Sequence, residues 1–205
     1  MPHERTADIS EHSLQLFDSS KSMAESVASF LLAGFRRGEP LLVVATPEHR
    51  ELIAQKLEQA GVDIHQALMA SRLLMLDAAQ TVDKFMRQDL PSRIAFDEIV
   101  GTLVAQLAKQ GRLCIYGEMV DVLVARGLYK AAYQLEVLWS ALGKREPFTL
   151  FCGYSSEHFG DPKTATILGK ICETHNRVHR RKGDVLAELL LERQDARGPR
   201  GSTGS

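Results

Sequence analysis

The residues best placed to do chemistry in this chain are two glutamates. Glu118, in Gly117-Glu118-Met119, ends an apolar run, and Glu136 lies on the helical stretch that follows. An acid ending an apolar strand puts its carboxylate at the strand-end rim. There it caps a neighbouring loop, pairs with an arginine such as Arg112 or Arg126, or meets a ligand. Glu136 borders the apolar stripe of Leu135 and Trp139, where an acid snorkels or pairs with a basic group. His12 stands just ahead of the first apolar run, as an edge or capping histidine or as a ligand. Cys114, Cys152 and Cys172 are odd in number and lack CxxC spacing, which argues against a disulfide framework or a zinc ribbon. Cys114 and Cys152 lie in apolar runs and read as small buried hydrophobes. The alternative is a redox switch in which these two, on neighbouring strands, form a disulfide.

Other chemistries lack their signatures. There is no GxxxxGK[ST] phosphate loop, no GxGxxG after the first strand, no HExxH, no EF-hand loop and no GxSxG elbow. The first strand-to-helix turn, Phe17-Asp18-Ser19-Ser20-Lys21-Ser22, has a Lys-Ser pair but no glycine, and Asp18 would repel phosphate. A nucleotide-binding ATPase using Lys21 and Ser22 with Glu118 is therefore the rival reading, not the leading one. His175 and His179 stand four apart, a spacing that puts two imidazoles on one helix face. The cationic residues around them point instead to a solvated basic helix end. No metal or cofactor is expected.

Positioning these groups requires an α/β layered chain. Apolar runs over 13–17, 40–46, 72–77, 112–117 and 148–154 alternate with amphipathic helical stretches, which predicts a mostly parallel sheet of at least five strands flanked by helices. Helices are expected over 21–37, with Gly38 as the stop, and from 47 to about 60 behind a Thr46-Pro47-Glu48 start. A short helix is expected over 62–71. Two pieces within 78–110 are separated by Leu90-Pro91-Ser92, and a helix over 120–142 loosens near Gly127. A last helix is expected over 163–194, bending at Gly183. Ligands in such a sheet bind beyond the strand carboxyl ends. That rim comprises 18–21, 46–48, 77–80, 117–119 and 154–157, so Tyr154 joins the candidate residues. A single domain is expected over 10–194, with 1–9 and 196–205 as flexible termini.

Composition narrows the class. Of 205 residues, 44% are hydrophobic and 25% charged, as in globular chains. The 25 Lys+Arg nearly balance 26 Asp+Glu, which argues against a nucleic-acid or anionic-membrane platform. No apolar run approaches the ~20 residues of a membrane helix, and the N-terminus lacks a signal peptide's apolar core, so a cytoplasmic location is expected.

Taken in order, these motifs resemble the MEDS domain, the methanogen/methylotroph DcmR sensory domain. The likeness rests on His12 before Phe17-Asp18-Ser19, on residues 30–46, on Tyr116-Gly117-Glu118-Met119, on 135–139 and on Leu150-Phe151-Cys152-Gly153-Tyr154, and covers about residues 10–180. The resemblance implies a three-layer RecA/KaiC-like fold without its phosphate loop, and a non-enzymatic sensory role in bacterial or archaeal signalling. It marks His12, Glu118, Glu136 and Cys152 as matching positions. With Tyr154 they form the candidate ligand- or signal-binding set. The implied partner is a histidine kinase or transcription regulator, with a homodimer as a further option. The basic stretch 177–182 and the apolar positions Val185, Leu186, Leu189 and Leu190 are candidate contacts.

Overall fold

The computed structural model describes residues 11–160 and 162–179, of which 162 and 163 by their backbone alone. The chain opens with strand β1 (His12–Phe17), helix α1 (Ser20–Arg36), β2 (Leu41–Ala45), α2 (Pro47–Gln59), α3 (Ile64–Met69) and β3 (Leu73–Asp77). It continues through α4 (Ala78–Phe85), a small hairpin of β4 (Met86–Arg87) and β5 (Leu90–Pro91), α5 (Arg93–Phe96), a wide helical turn (Asp97–Gly101) and α6 (Thr102–Ala108). Then come β6 (Leu113–Gly117), α7 (Met119–Ala125), α8 (Tyr129–Leu142), β7 (Phe148–Ser155), a tight helical turn (Ser156–Phe159), α9 (Pro162–Cys172) and β8 (Arg177–Val178). Six strands form one sheet in the order β3-β2-β6-β7-β1-β8, every pair parallel.

The layering follows from handedness. A right-handed crossover travelling one way along the sheet lays its helix on one face, and travel the other way uses the opposite face. From β1 to β2 to β3 the chain moves one way; from β3 to β6, β7 and β8 it moves back. Accordingly α1, α2 and α3 share one core with Val43, Cys114, Tyr116 and Phe151. Helices α4 to α9 share the other with Leu14, Val44, Ile115, Leu150 and Cys152. Both sheet faces are covered, so β2 is apolar at every position, as a doubly buried parallel strand must be. The second core centres on Trp139, packed edge-on against Phe96 and Phe148 with ring centroids 5.5 and 6.0 Å away.

The starts and stops obey local chemistry. Ser19 caps α1 by accepting from Ser22 N, and Thr46 caps α2 by accepting from His49 N. Gly38, at φ +82, and Gly127, at φ +73, take the left-handed conformations that end α1 and separate α7 from α8.

The last predicted helix is corrected. Helix α9 ends at Cys172, and the chain turns and pairs with the edge of β1, Ser13 opposite Arg177 and Leu14 opposite Val178. Backbone N–H groups of Asn176 and His179 donate to the carbonyls of His12 and Leu14 at 2.8 Å. The open edge of β1 supplies partners that local helix propensity cannot anticipate. His175 and His179 consequently share no helix face. The predicted positions from 180 onward, including Gly183, the 185–190 stripe and the tail, lie outside the described residues.

Candidate functional site

Strands β1 and β7 are neighbours, as are β2 and β6, yet their outgoing connections leave toward opposite faces of the sheet. Such a switch point opens a crevice beyond the strand carboxyl ends. A crevice of about 470 Å³, open to solvent, lies there. Its wall includes Phe17, Ser20 and Met23 on one side, Tyr116 and Tyr154 at its base, and the acids Asp18, Glu118, Asp121 and Glu157 around it. The predicted rim segment 77–80 is not part of it. Asp77 instead caps α4 through Gln80 N at 2.8 Å.

Glu118 is the hub of this crevice and is 4% exposed. Its Oε2 accepts from Thr46 N at 2.9 Å, and its Oε1 accepts from the Tyr116 hydroxyl at 2.7 Å. His49 Nδ1 lies 2.7 Å from the same Oε1, and His49 Nε2 lies 3.1 Å from Ser20 Oγ. One carboxylate thus ties the ends of β2 and β6 to the starts of α1 and α2. The hydrogen bond to Glu118 holds the His49 pKa above its ordinary value, against the opposing effect of burial. Burial drives the Tyr116 hydroxyl well upward, so it stays a donor. A parallel arrangement sits at the end of β7, where Asp121 Oδ1 accepts from Ser155 N at 3.1 Å and meets His158 Nδ1 at 2.8 Å. Burial raises the Asp121 carboxyl, and the bond to Asp121 raises His158.

Behind β1 and β7, on the face covered by α8 and α9, lies a second constellation with no opening of its own among the crevices described. His12 Nε2 is 3.3 Å from Cys152 Sγ and 3.3 Å from Glu136 Oε2. His175 Nε2 is 3.7 Å from Glu136 Oε1, and the two imidazole centroids are 3.9 Å apart. The Tyr154 hydroxyl donates to Glu136 Oε1. Burial alone would push the Glu136 carboxyl up, but the His175 and His12 rings and the Tyr154 hydroxyl outweigh it and hold it below its ordinary value. Burial takes His175 down to about 4, so that ring is neutral near pH 7. Burial drives the Cys152 thiol well upward.

The five residues singled out in the sequence therefore separate into two places. Glu118 lies at the crevice as expected, capping a loop and bonded to His49; the suggested arginines are engaged elsewhere. Arg126 pairs with Asp83 at 2.6 Å and Arg112 donates to Thr149. His12, Glu136 and Cys152 are brought together, but away from the rim, because His12 begins its strand and Cys152 sits opposite Leu14 within the sheet. Tyr154 belongs to both, lining the crevice and bonding Glu136. Glu136 does not snorkel; it is fully buried. The proposed Cys114–Cys152 disulfide is ruled out by placement. Cys114 is paired with Thr149 and Cys152 with Gly117, three positions along, and the two side chains face opposite cores.

The sequence reading placed Ser20 on the rim within 18–21 but missed His49 and Asp121 at the crevice and His158 beside Asp121, and misplaced His175. His49 and Ser20 stand 29 residues apart, and only the sheet order joins them. Asn176 directly after His175 was the one local sign of a turn where a helix was expected.

Comparison with known families bears on the whole arrangement. The family model described as the MEthanogen/methylotroph, DcmR Sensory domain matches residues 11–176. No curated protein matches the chain.

Proposed function

The chain belongs to the MEDS family of sensory domains, and from that premise we propose that it is a non-enzymatic regulatory module whose signal is a small molecule at the strand-end crevice. The carrying observation is that Glu118 bonds three elements that meet there, the turn at Thr46, His49 of α2 and Tyr116 of β6. A ligand competing for any of these bonds shifts the relative population of the loop arrangements at the crevice, and a partner reads that shift. The partner class is a histidine kinase or a transcription regulator of a bacterium or archaeon, acting in the cytoplasm. Consistent with this setting, no helix among the described residues is long and apolar enough to cross a membrane.

Charge selects the ligand class. Asp18, Glu118, Asp121 and Glu157 outnumber His49 in the lining, which disfavours phosphate and favours a small neutral or cationic organic molecule with hydrogen-bond donors. The rival nucleotide reading finds little support in the α1 start. Ser22 N is satisfied by Ser19 Oγ, the Ser22 hydroxyl donates to Ser19 O at 3.0 Å, and Lys21 is exposed and not among the residues lining the crevice. Thermal shift of the full chain against a panel of small alcohols, amines and Mg-ATP tests the proposal. At 100 times Kd a binder adds about 2.7 kcal/mol. Stabilisation by an alcohol or amine, lost in Glu118→Gln and in Ser20→Ala, supports it. Stabilisation by Mg-ATP alone refutes it.

One observation favours a second reading. Ser20 Oγ, His49 Nε2 and Nδ1, and Glu118 Oε1 form a hydroxyl–imidazole–carboxylate relay with 3.1 and 2.7 Å steps, the geometry of an activated serine nucleophile. In an acyl hydrolase, Ser20 Oγ would bond to the acyl carbon while His49 Nε2 takes its proton and later returns it to the leaving group. A fluorophosphonate reagent separates the readings, since it labels Ser20 in a hydrolase and leaves a sensor unlabelled.

A further inference from the structure

We propose that His12, Glu136, Cys152 and His175 form a buried four-coordinate site for a divalent metal ion of the zinc class. The inference does not rest on the crevice reading, because none of these four residues lines the crevice, although Tyr154 touches both places. One ligand atom from each residue lies within 4.8 Å of all the others, and all four residues are buried. A tetrahedral site with bonds of about 2.0–2.3 Å has edges of about 3.3–3.8 Å. The two edges from His12 Nε2, 3.3 Å to Cys152 Sγ and 3.3 Å to Glu136 Oε2, match that span, and His175 Nε2 stands 3.7 Å from the other oxygen of the same carboxylate, Oε1.

Geometry without a cation leaves this cluster unsatisfied. His175 Nδ1 lies 2.8 Å from the carbonyl oxygen of Ile171, which can only accept, so the ring hydrogen sits on Nδ1 and Nε2 carries the lone pair. That lone pair faces a carboxylate oxygen, acceptor against acceptor. Among the described residues neither His175 Nε2 nor Glu136 Oε2 has a hydrogen-bond partner, although His12 Nε2 stands 3.3 Å from Oε2, and the His175 and Glu136 side chains are 0% exposed. Buried acceptors left unmatched are costly, and a cation between them satisfies both at once.

The surroundings also resemble those of a metal centre. A ligating histidine ordinarily donates its other ring N–H to a carbonyl, as His175 does, and a ligating carboxylate is itself hydrogen-bonded, as Glu136 is by Tyr154. Binding releases the Cys152 thiol proton to solvent. The resulting thiolate and the Glu136 carboxylate together balance the two positive charges, so the burial leaves no net charge inside. Two imidazoles, a thiolate and a carboxylate suit zinc and neighbouring transition metals; the hard oxygen sets of calcium and magnesium are absent here. With four protein ligands no position stays open, which makes the centre structural or metal-sensing, not catalytic. Its ligands come from β1, α8, β7 and the turn before β8. Metal occupancy would therefore fix the edge strand β8.

The test uses the full chain, stripped with a chelator and refilled with zinc or cobalt(II). Zinc is expected at about one per chain, and cobalt should give strong tetrahedral visible absorption with a thiolate-to-cobalt band in the near ultraviolet. Cys152→Ser should abolish that band, Cys114→Ser on the other face should keep it, and Tyr154→Phe should weaken binding about 10-fold or more. Should Cys152→Ser fail to fold, alkylation of the wild-type chain decides instead, with metal shielding Cys152 and leaving Cys114 unaffected. A folded chain that takes up neither ion, a cobalt spectrum without the thiolate band, a band surviving Cys152→Ser, or no metal shielding of Cys152 overturns the proposal.

Discussion

Tyr116 lies across Gly153 so closely that a methyl group in place of the glycine hydrogen would stand 2.9 Å from its Cζ and 3.0 Å from its Cε2. The same tyrosine holds Glu118 through a 2.7 Å hydrogen bond. The bare backbone of β7 is thus what lets the crevice acid be held from β6. Gly153→Ala should destabilise the chain by about 1–3 kcal/mol through overpacking. Adding Tyr116→Phe, which removes the hydroxyl nearest the new methyl, should recover part of that loss. Urea unfolding of both variants checks it, and an unchanged midpoint for Gly153→Ala would contradict the contact.

His49 gives the crevice a pH signature. Its folded pKa is raised above the ordinary 6.5, so the stability it contributes is fully present below 6.5 and drains away as pH rises through the folded value. His158 is raised in the same direction by Asp121, and Glu48 and Asp121 also act on His49, so the wild-type profile alone is ambiguous. The difference between wild type and His49→Gln isolates the effect. That difference should shrink in thermal melts as pH rises above 6.5 and through the raised folded value. A difference that stays constant or grows would mean His49 is not held charged by Glu118.

Much of the fold was legible, and the reasons are physical. Continuous apolar runs such as Leu41–Ala45 and Leu113–Gly117 are read directly because both sheet faces are covered. Helix starts at Ser19 and Thr46 and the stop at Gly38 follow from capping and backbone freedom. What stayed hidden depended on strand order. Nothing local says that Arg177 and Val178 pair with β1, that β1 lies beside β7, or that His175 faces Glu136 across 39 residues of sequence (175 − 136). Glu118 was legible because it ends a strand; its link to His49, and through His49 to Ser20, was not, since each lies near the start of a helix from another part of the chain.

The core on the far face makes a plain stability prediction. Trp139 is 2% exposed and sits edge-on between Phe96 and Phe148. Trp139→Ala should cost about 3–5 kcal/mol. The urea midpoint should fall while the denaturant slope is kept. A loss under about 1 kcal/mol would place the tryptophan outside the cooperative core.

At Gly34 a Cβ would stand 2.8 Å from both Cβ and Sγ of Cys114, so α1 packs on β6 through that glycine. Gly34→Ala should destabilise by about 1–3 kcal/mol despite the gain in helix propensity. Combining it with Cys114→Ala, which removes Sγ and keeps Cβ, should recover part of the loss in thermal melts. A stabilised single variant would mean that the helix does not approach the strand this closely.

The sensing account is tested most directly by backbone amide NMR of the isotope-labelled full chain, titrated in parallel with small alcohols, small amines and Mg-ATP. The account predicts that a neutral or cationic organic molecule moves the amides of Ser20, Thr46, His49, Glu118 and Ser155 together, saturably, while Mg-ATP leaves Ser20, Lys21 and Ser22 where they were. Saturable movement of those three amides by Mg-ATP, with release of phosphate, would contradict it.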